Sequence, residues 1–423
     1  MRQRGYLALL IGVLGLLLIG SSGCQQAAPA QPAAPAGQSS GAQPSGGAAA
    51  APIKIGVPLP LTGKNAPFGV IIKNGFDMAQ EEINAKGGVR GGSKLQLVFE
   101  DDTSQDPVAK SAAEKLITQD KVVMLTGEFA SSSTYPVAQT AEQLKIPFLV
   151  TTGAADNITQ QGWKYIFRMA QPSAEFDNAL KDFMENVAKP QSIAIIFENT
   201  LFGTSNSDAM KKWADSKGVK VVQMESYDAG SPDYKPLLTK TKAANPDVVY
   251  FVSYLLDATL LMRQSKEIDL NPKMFAGAAA GFSIPDFLTG AGDTGEYVVS
   301  SSMWEQGVPY PGAKDFVPAY QKKYNSLPSY HGVQSYAGTY VIADVLNRAK
   351  SLSPDDIVTA LAQTDLQTLY GRIKFEAYNG FTNQARIPTV LIQVQKGKFQ
   401  TVWPKEVASA PAIFPTPKWS ERK

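Results

Sequence analysis

Residues 122–156 read VVMLTGEFASSSTYPVAQTAEQLKIPFLVTTGAAD. An apolar run opens the stretch and a second one, PFLV, nearly closes it. Between them Val137, Ala141 and Leu144 recur at helical spacing. An apolar strand, an amphipathic helix and a second apolar strand make one βαβ unit. Both strands run out into the same chemistry. The first ends in TGEFASSST and the second in TTGAAD, which are glycine, alanine and hydroxyls at the mouth of a helix.

Reading outward, the pattern repeats. IKIGVPL (53–59) and LQLVFED (95–101) precede the unit, with Phe76, Ala79 and Ile83 at helical spacing between them and Ala112, Leu116 and Ile117 after them. The series then restarts with SIAIIFEN (192–199), VVQMESY (221–227), VVYFVSY (248–254), MFAGA (274–278) and YVVSSSM (297–303). Near-continuous apolar strands alternating with helices predict mostly parallel sheets covered on both faces. The fold expected is therefore α/β, two doubly wound, Rossmann-like lobes. Late helices (312–324, 332–350, 353–364) and two late strands (371–377, 388–395) imply that the chain crosses between lobes three times. The boundaries expected are 53–172 plus 304–377 for lobe one, 173–303 plus 378–403 for lobe two, and an irregular tail over 404–423.

The first residues read as an export signal. Arg2 and Arg4 precede a 14-residue apolar run (6–19), short for a bilayer span of about 20 helical residues. Gly20, Ser21, Ser22 and Gly23 lead to Cys24, the chain's single cysteine. Residues 1–23 resemble a bacterial lipoprotein signal, with Ser21 where Leu is usual, so Cys24 is expected to carry the lipid; the alternative is an ordinary signal peptide with an incidental cysteine. One cysteine permits no intrachain disulfide. Residues 24–51 hold no charge and after Cys24 are only Ala, Pro, Gly, Ser and Gln, a composition that buries no core. A coil of that length reaches roughly 30 Å and would tether a body to the outer face of a membrane. Removing Arg2 and Arg4, in a stretch without acids, leaves 38 basic against 38 acidic residues. A neutral chain carries no signature of a nucleic-acid partner.

In doubly wound sheets, ligands bind beyond the carboxyl ends of the strands. Here those ends are LTGKNAPFG, TGEFASSST, TTGAAD, ENTLFG and VSYLLD. Small residues admit a ligand to the backbone, and hydroxyls with free N–H groups at a helix start favour an anion. Ser131 to Thr134 therefore read either as carboxylate ligands or as an ordinary helix cap. The repetition in TTGAAD favours a site.

IKIGVPLPLTGKNAPFG, NGFDMAQEEINAKGGVRG, LQLVFEDDTSQDP, IPFLVTTGAAD, FENTLFG and PDVVYFVSY occur in one order and spacing. From about 53 to 403 the chain resembles the substrate-binding proteins of ABC importers of the leucine/isoleucine/valine-binding type, which have the periplasmic binding protein type I fold. The resemblance implies that a small ligand is captured between the lobes and passed to a permease by an anchored monomer. It also implies that the ligand carboxylate meets Ser131, with Ser132 beside it, and the backbone of Gly153, Ala154 and Ala155. Phe68, Phe202 and Tyr254 would line the cleft, the first two without the hydroxyl that Tyr often supplies there. Where amino-acid-binding relatives place a Glu for the ligand ammonium, this chain has Ala278, Ala279 and Ala280, and Ala130 replaces one member of a cysteine pair. Glu128, Asp257 and Glu305 are candidate substitutes, with Glu305 favoured because a crossover edge reaches both lobes. The ligand is then a hydrophobic amino acid or, without an ammonium, an aromatic or aliphatic carboxylate or amide. His331, the only histidine, is a capping residue or a wall of the cleft.

No enzyme is expected. One histidine excludes a several-histidine metal site, and neither HExxH, GxSxG nor GxGxxG after a strand occurs. No metal or cofactor is expected. Two other roles fit the same fold, a ligand sensor without transport and a cleft enzyme acting on an amide.

Overall fold

The computed structural model describes residues 51–422. The export signal, Cys24 and most of the tether lie outside the described residues. Among the described residues no helix is long and apolar enough to cross a membrane.

The first sheet begins with Ile53–Leu59 (β1), Leu95–Asp101 (β2), Met124–Gly127 (β3), Phe148–Val150 (β4) and Ile166–Arg168 (β5). The second begins with Ser192–Glu198 (β6), Lys220–Tyr227 (β7), Val248–Val252 (β8), Met274–Gly277 (β9) and Val299–Ser302 (β10). The chain returns to the first sheet for Asp365–Thr368 (β11), Gly371–Tyr378 (β12) and Phe381–Ala385 (β13), then ends the second with Val390–Gln395 (β14) and Lys398–Trp403 (β15). The strand orders are β11-β12-β13-β5-β4-β3-β1-β2 and β15-β14-β10-β9-β8-β6-β7. Each sheet therefore has the parallel order 2-1-3-4-5 at its heart, and each reverses direction beside its first strand.

The apolar runs form strands because both faces of each parallel core are covered. Every residue of β8 is 0–1 % exposed, and each such aliphatic or aromatic side chain contributes roughly 1.5–3 kcal/mol by leaving water. The helix Ala66–Ala85 buries Phe68, Ile72, Phe76, Ala79 and Ile83 along one stripe. It crosses the helix Tyr330–Arg348 at Gly75, where a Cβ would lie 2.0 Å from the Gly332 carbonyl oxygen. That close crossing fixes the start of the second helix, and with it His331.

The sheets move one boundary. Residues 378–403 are not all in lobe two, because β13 pairs antiparallel with β12 and parallel with β5 in the first sheet. The last crossover follows Ala385. FTNQA lacks an apolar strand signature because one of its three buried side chains is an amide. Gln384 accepts from Arg168 Nε at 2.6 Å and donates to the Ala170 carbonyl at 2.7 Å. The segment after Trp403 is irregular but packed on the second lobe. The Trp419 ring lies 5.7 Å from that of Phe275 and its indole N–H donates to the Leu270 carbonyl at 2.7 Å.

Candidate functional site

The switch point of each sheet lies beside its first strand, and the loops leaving those points face each other. Phe68 follows β1 and Phe202 follows β6, each at the start of a helix. Each is followed by a glycine that lets the helix start press onto the strand end. A Cβ at Gly69 would be 1.8 Å from the Pro60 carbonyl oxygen, and one at Gly203 1.8 Å from that of Glu198.

The two loops deliver their rings into one buried cluster. Phe68 stacks on Phe129 with centroids 4.3 Å apart, and Tyr254 stacks on Phe202 at 5.3 Å. Phe129 and Tyr254 meet at 5.2 Å, which joins the lobes. His331 lies 5.3 Å from Phe68 and stacks on Tyr330 at 3.9 Å. Ala278, Ala279 and Ala280 are buried. Ala279 and Ala280 have φ of 41° and 38°, and the Ala280 N–H donates to the Tyr330 hydroxyl at 3.3 Å. The lobes are closed on this apolar centre. Burial pushes the His331 imidazole down to about 3, so it is neutral, and its Nδ1 has no partner.

At one edge of the rings Ser131, Ala154 and Ala155 come together. Both amides donate to Ser131 Oγ at 3.1 Å, leaving the hydroxyl proton free to point elsewhere. Behind them lies Arg168, fully buried, which donates to the carbonyls of Gly153 (3.2 Å) and Ala155 (2.7 Å) and to Thr159 Oγ1 (2.8 Å). Burial pushes its guanidinium down to about 10, still well above neutral pH. By holding the carbonyls back, Arg168 turns the amides of this loop forward and adds positive charge behind them. Ser132 is apart from this group. Its hydroxyl donates to Asp106 Oδ1 at 2.9 Å, and it lines a polar cavity of about 660 Å3 at the cleft mouth with Lys64, Asn199 and Thr204.

The acids are placed differently from expectation. Glu128 Oε2 accepts from Thr134 Oγ1 at 2.7 Å. Its Oε1 and Asp102 Oδ2 are both buried and unpartnered. Burial pushes the Asp102 carboxyl up to about 6, and burial with the neighbouring Asp102 charge pushes Glu128 well above the ordinary range. One proton held between the two orphan oxygens would satisfy both. Asp257 is closed by the Tyr234 hydroxyl at 2.8 Å and the Gly230 amide at 3.0 Å. Glu305, favoured from sequence, lines a different cavity with Trp304 and Phe399, because the crossover carries it to the far side of the Tyr330–Arg348 helix start. The acid actually under the rings is Glu198 at the end of β6. It accepts from Thr200 Oγ1 at 2.7 Å and from the Tyr254 amide at 3.4 Å. Burial pushes it up to about 7.

Sequence reasoning passed over Phe129, Tyr330, Arg168 and Glu198. Phe129 and Tyr330 adjoin residues it did single out, and Glu198 is the acid of FENT, so neighbourhood was the available signal for those three. Arg168 had none, since a short strand hides it.

The profile of the periplasmic binding protein family matches residues 52–398. The Leu/Ile/Val-binding protein homolog 7 of Brucella suis is 29% identical over 391 residues, which cover 87% of this chain and 95% of that protein. The branched-chain amino acid transporter substrate binding protein LivJ of Streptococcus pneumoniae, solved with isoleucine, superposes with a TM-score of 0.75 at 23% identity, over 86% of this chain and 100% of that one. An ABC transporter solute-binding protein of R. palustris, solved with benzoate, gives 0.74 at 20% identity, over 86% and 97%. Two like-ordered sheets closed on a shared apolar cluster, matched along nearly the whole described body, mean that this chain belongs to the periplasmic binding protein family, whose extracytoplasmic members bind a solute without transforming it.

Proposed function

We propose that this chain is the solute-binding component of an ABC importer, held at the outer face of the membrane through a lipid on Cys24, and that it works as a monomer on a small apolar carboxylate, aromatic or branched. The observation that carries the ligand class is the fate of the acids. Glu128 is engaged by Thr134 and lies against Asp102, and Asp257 is capped by Tyr234 and Gly230, while Glu305 lies in another cavity. An ammonium against Ala278 to Ala280 would be buried without a partner, at a cost of several kcal/mol. A carboxylate has a partner in the Ser131 hydroxyl, whose oxygen is already held by the Ala154 and Ala155 amides, with the Arg168 charge behind them. The rings of Phe68, Phe129, Phe202 and Tyr254 take the hydrocarbon, and His331 Nδ1 is free for a polar substituent. The benzoate held by the R. palustris protein is of this class.

Glu198 favours a second reading, a hydrophobic amino acid, since ionised it would face an ammonium beneath Tyr254. The names of the Brucella relatives and the isoleucine in LivJ agree with that. Calorimetric titration with benzoate, 4-methyl-2-oxopentanoate, phenylalanine and leucine separates the two. Tighter binding of the deaminated acids is expected, and leucine or phenylalanine binding more tightly would overturn the carboxylate assignment. Incorporation of labelled palmitate into the wild type, lost in Cys24→Ala, tests the anchor.

A further inference from the structure

A second cavity, of about 490 Å3, shares no lining residue with the aromatic cluster. Its size falls in the range of small-molecule sites, roughly 300–1,000 Å3. Leu288 reaches it from a helix of the second lobe and Phe399 from β15, while Val317 and Leu327 reach it from the helical part of the first. Trp304 and Glu305, on the crossover between lobes, close it. The Trp304 indole N–H is spent on the Leu369 carbonyl at 2.9 Å, so its ring faces the cavity as an apolar surface.

Two polar groups in this wall have capacity left over by the fold, a hydroxyl without a partner and an acid with one hydroxyl beside it. Ser329 stands at the N-cap of the Tyr330–Arg348 helix in extended backbone, yet its side chain does not cap that helix. Its Oγ is buried and has no partner. Glu305 lines the same cavity. Its carboxyl is pushed up to about 7 by desolvation, opposed only by the Ser302 hydroxyl. The other charged side chain of the wall is Lys398 of β15. Leu327, at the rim, is 49% exposed, a large apolar side chain left in water beside an acid and an unused hydroxyl.

We propose that this cavity is a second ligand site, separate from the cleft, and that it takes a small organic cation whose ammonium meets Glu305 and Ser329 Oγ while its hydrocarbon body lies against Trp304, Leu288 and Phe399. Both polar groups accept from an ammonium, and an aromatic face beside a cation adds attraction. Because walls come from both lobes and from the crossover between them, occupancy and cleft angle are linked, and a cation here changes affinity in the cleft. The inference does not depend on which solute the cleft carries.

Calorimetry on the full chain with 2-phenylethylammonium chloride tests it, with 3-phenylpropionate as the body-matched anion. The probe is expected to bind wild type, with Glu305→Gln weakening it at least tenfold and Leu288→Trp, which fills the half-buried wall, abolishing it. Ionisation of Glu305 also makes affinity about tenfold higher near pH 8 than near pH 6. Glu305→Gln removes a desolvated charge and keeps the shape, so it leaves the fold intact. No binding at millimolar probe overturns the site. So does binding that survives Leu288→Trp, equal affinity for wild type and Glu305→Gln, or competition by 3-phenylpropionate.

Discussion

The Ala280 amide donates to the Tyr330 hydroxyl at 3.3 Å, so a backbone group of the second lobe is held by a side chain of the first. Separating the lobes would break this bond. Tyr330→Phe removes it and keeps the ring on His331. A buried hydrogen bond is worth about 0.5–1.5 kcal/mol, so ligand affinity is expected to fall about two- to tenfold through loss of the closed state. Small-angle scattering of the ligand-free variant would show a larger radius. Unchanged affinity and radius would mean that the latch carries no closure energy.

Ser131→Ala is expected to cost stability as well as affinity. The Ser131 oxygen is the acceptor for two buried amides, and its neighbours Ser132 and Ser133 are turned to Asp106. Leaving buried donors unpaired costs about 1–3 kcal/mol. Thermal unfolding of the ligand-free variant should show that loss before any ligand is added, and an unchanged Tm would place the amides on another acceptor.

The Asp102–Glu128 pair sets a pH dependence. Both carboxyls are raised in the folded protein, Asp102 to about 6 and Glu128 above its ordinary range by burial. The folded state therefore holds more protons than the unfolded one above the ordinary carboxylate range. That contribution is fully present below about pH 4 and is lost as pH rises through 6 and beyond. Glu128→Gln can donate its amide to Asp102 without a proton. The variant is expected to gain about 1–3 kcal/mol over wild type near pH 8 and to gain less near pH 5. Denaturant unfolding at the two pH values measures it. An equal difference at both would show that the pair does not share a proton.

Gly203→Ala should be among the most damaging single-methyl changes in the second lobe. The added Cβ would lie 1.8 Å from the Glu198 carbonyl oxygen, forcing the Phe202 helix start off the strand end. Overpacking against backbone costs about 1–3 kcal/mol or more, and Phe202 would leave its 5.3 Å stack on Tyr254. Gly69→Ala should do the same to Phe68. Loss of ligand binding exceeding the loss of Tm is the expected signature, while wild-type binding would show that the loops do not need this approach.

Much of this was legible because the buried strands are apolar on both faces and the glycines and hydroxyls follow them at strand ends. IKIGVPL and SIAIIFEN could be little else, and their order along the chain implied two lobes. What was hidden is hidden for physical reasons. Ile166–Arg168 is three residues long and carries a charge, paired inside by Gln384 of a strand that itself looks like a loop. The acids could not be ranked from sequence because a carboxylate's role depends on what else reaches it, and Asp102, Tyr234 and Gly230 come from elsewhere in the chain. Phe129 was overlooked between Glu128 and Ser131 although its ring meets Tyr254 across the lobes.

The described chain begins at β1 in the first lobe and ends with Trp419 fastened to Phe275 and Leu270 of the second. The two ends of the body thus ride on opposite jaws. A donor dye near residue 53 and an acceptor near 421 would move apart or together with the cleft itself, so this scaffold converts solute capture into a change in energy transfer without any insertion into its interior.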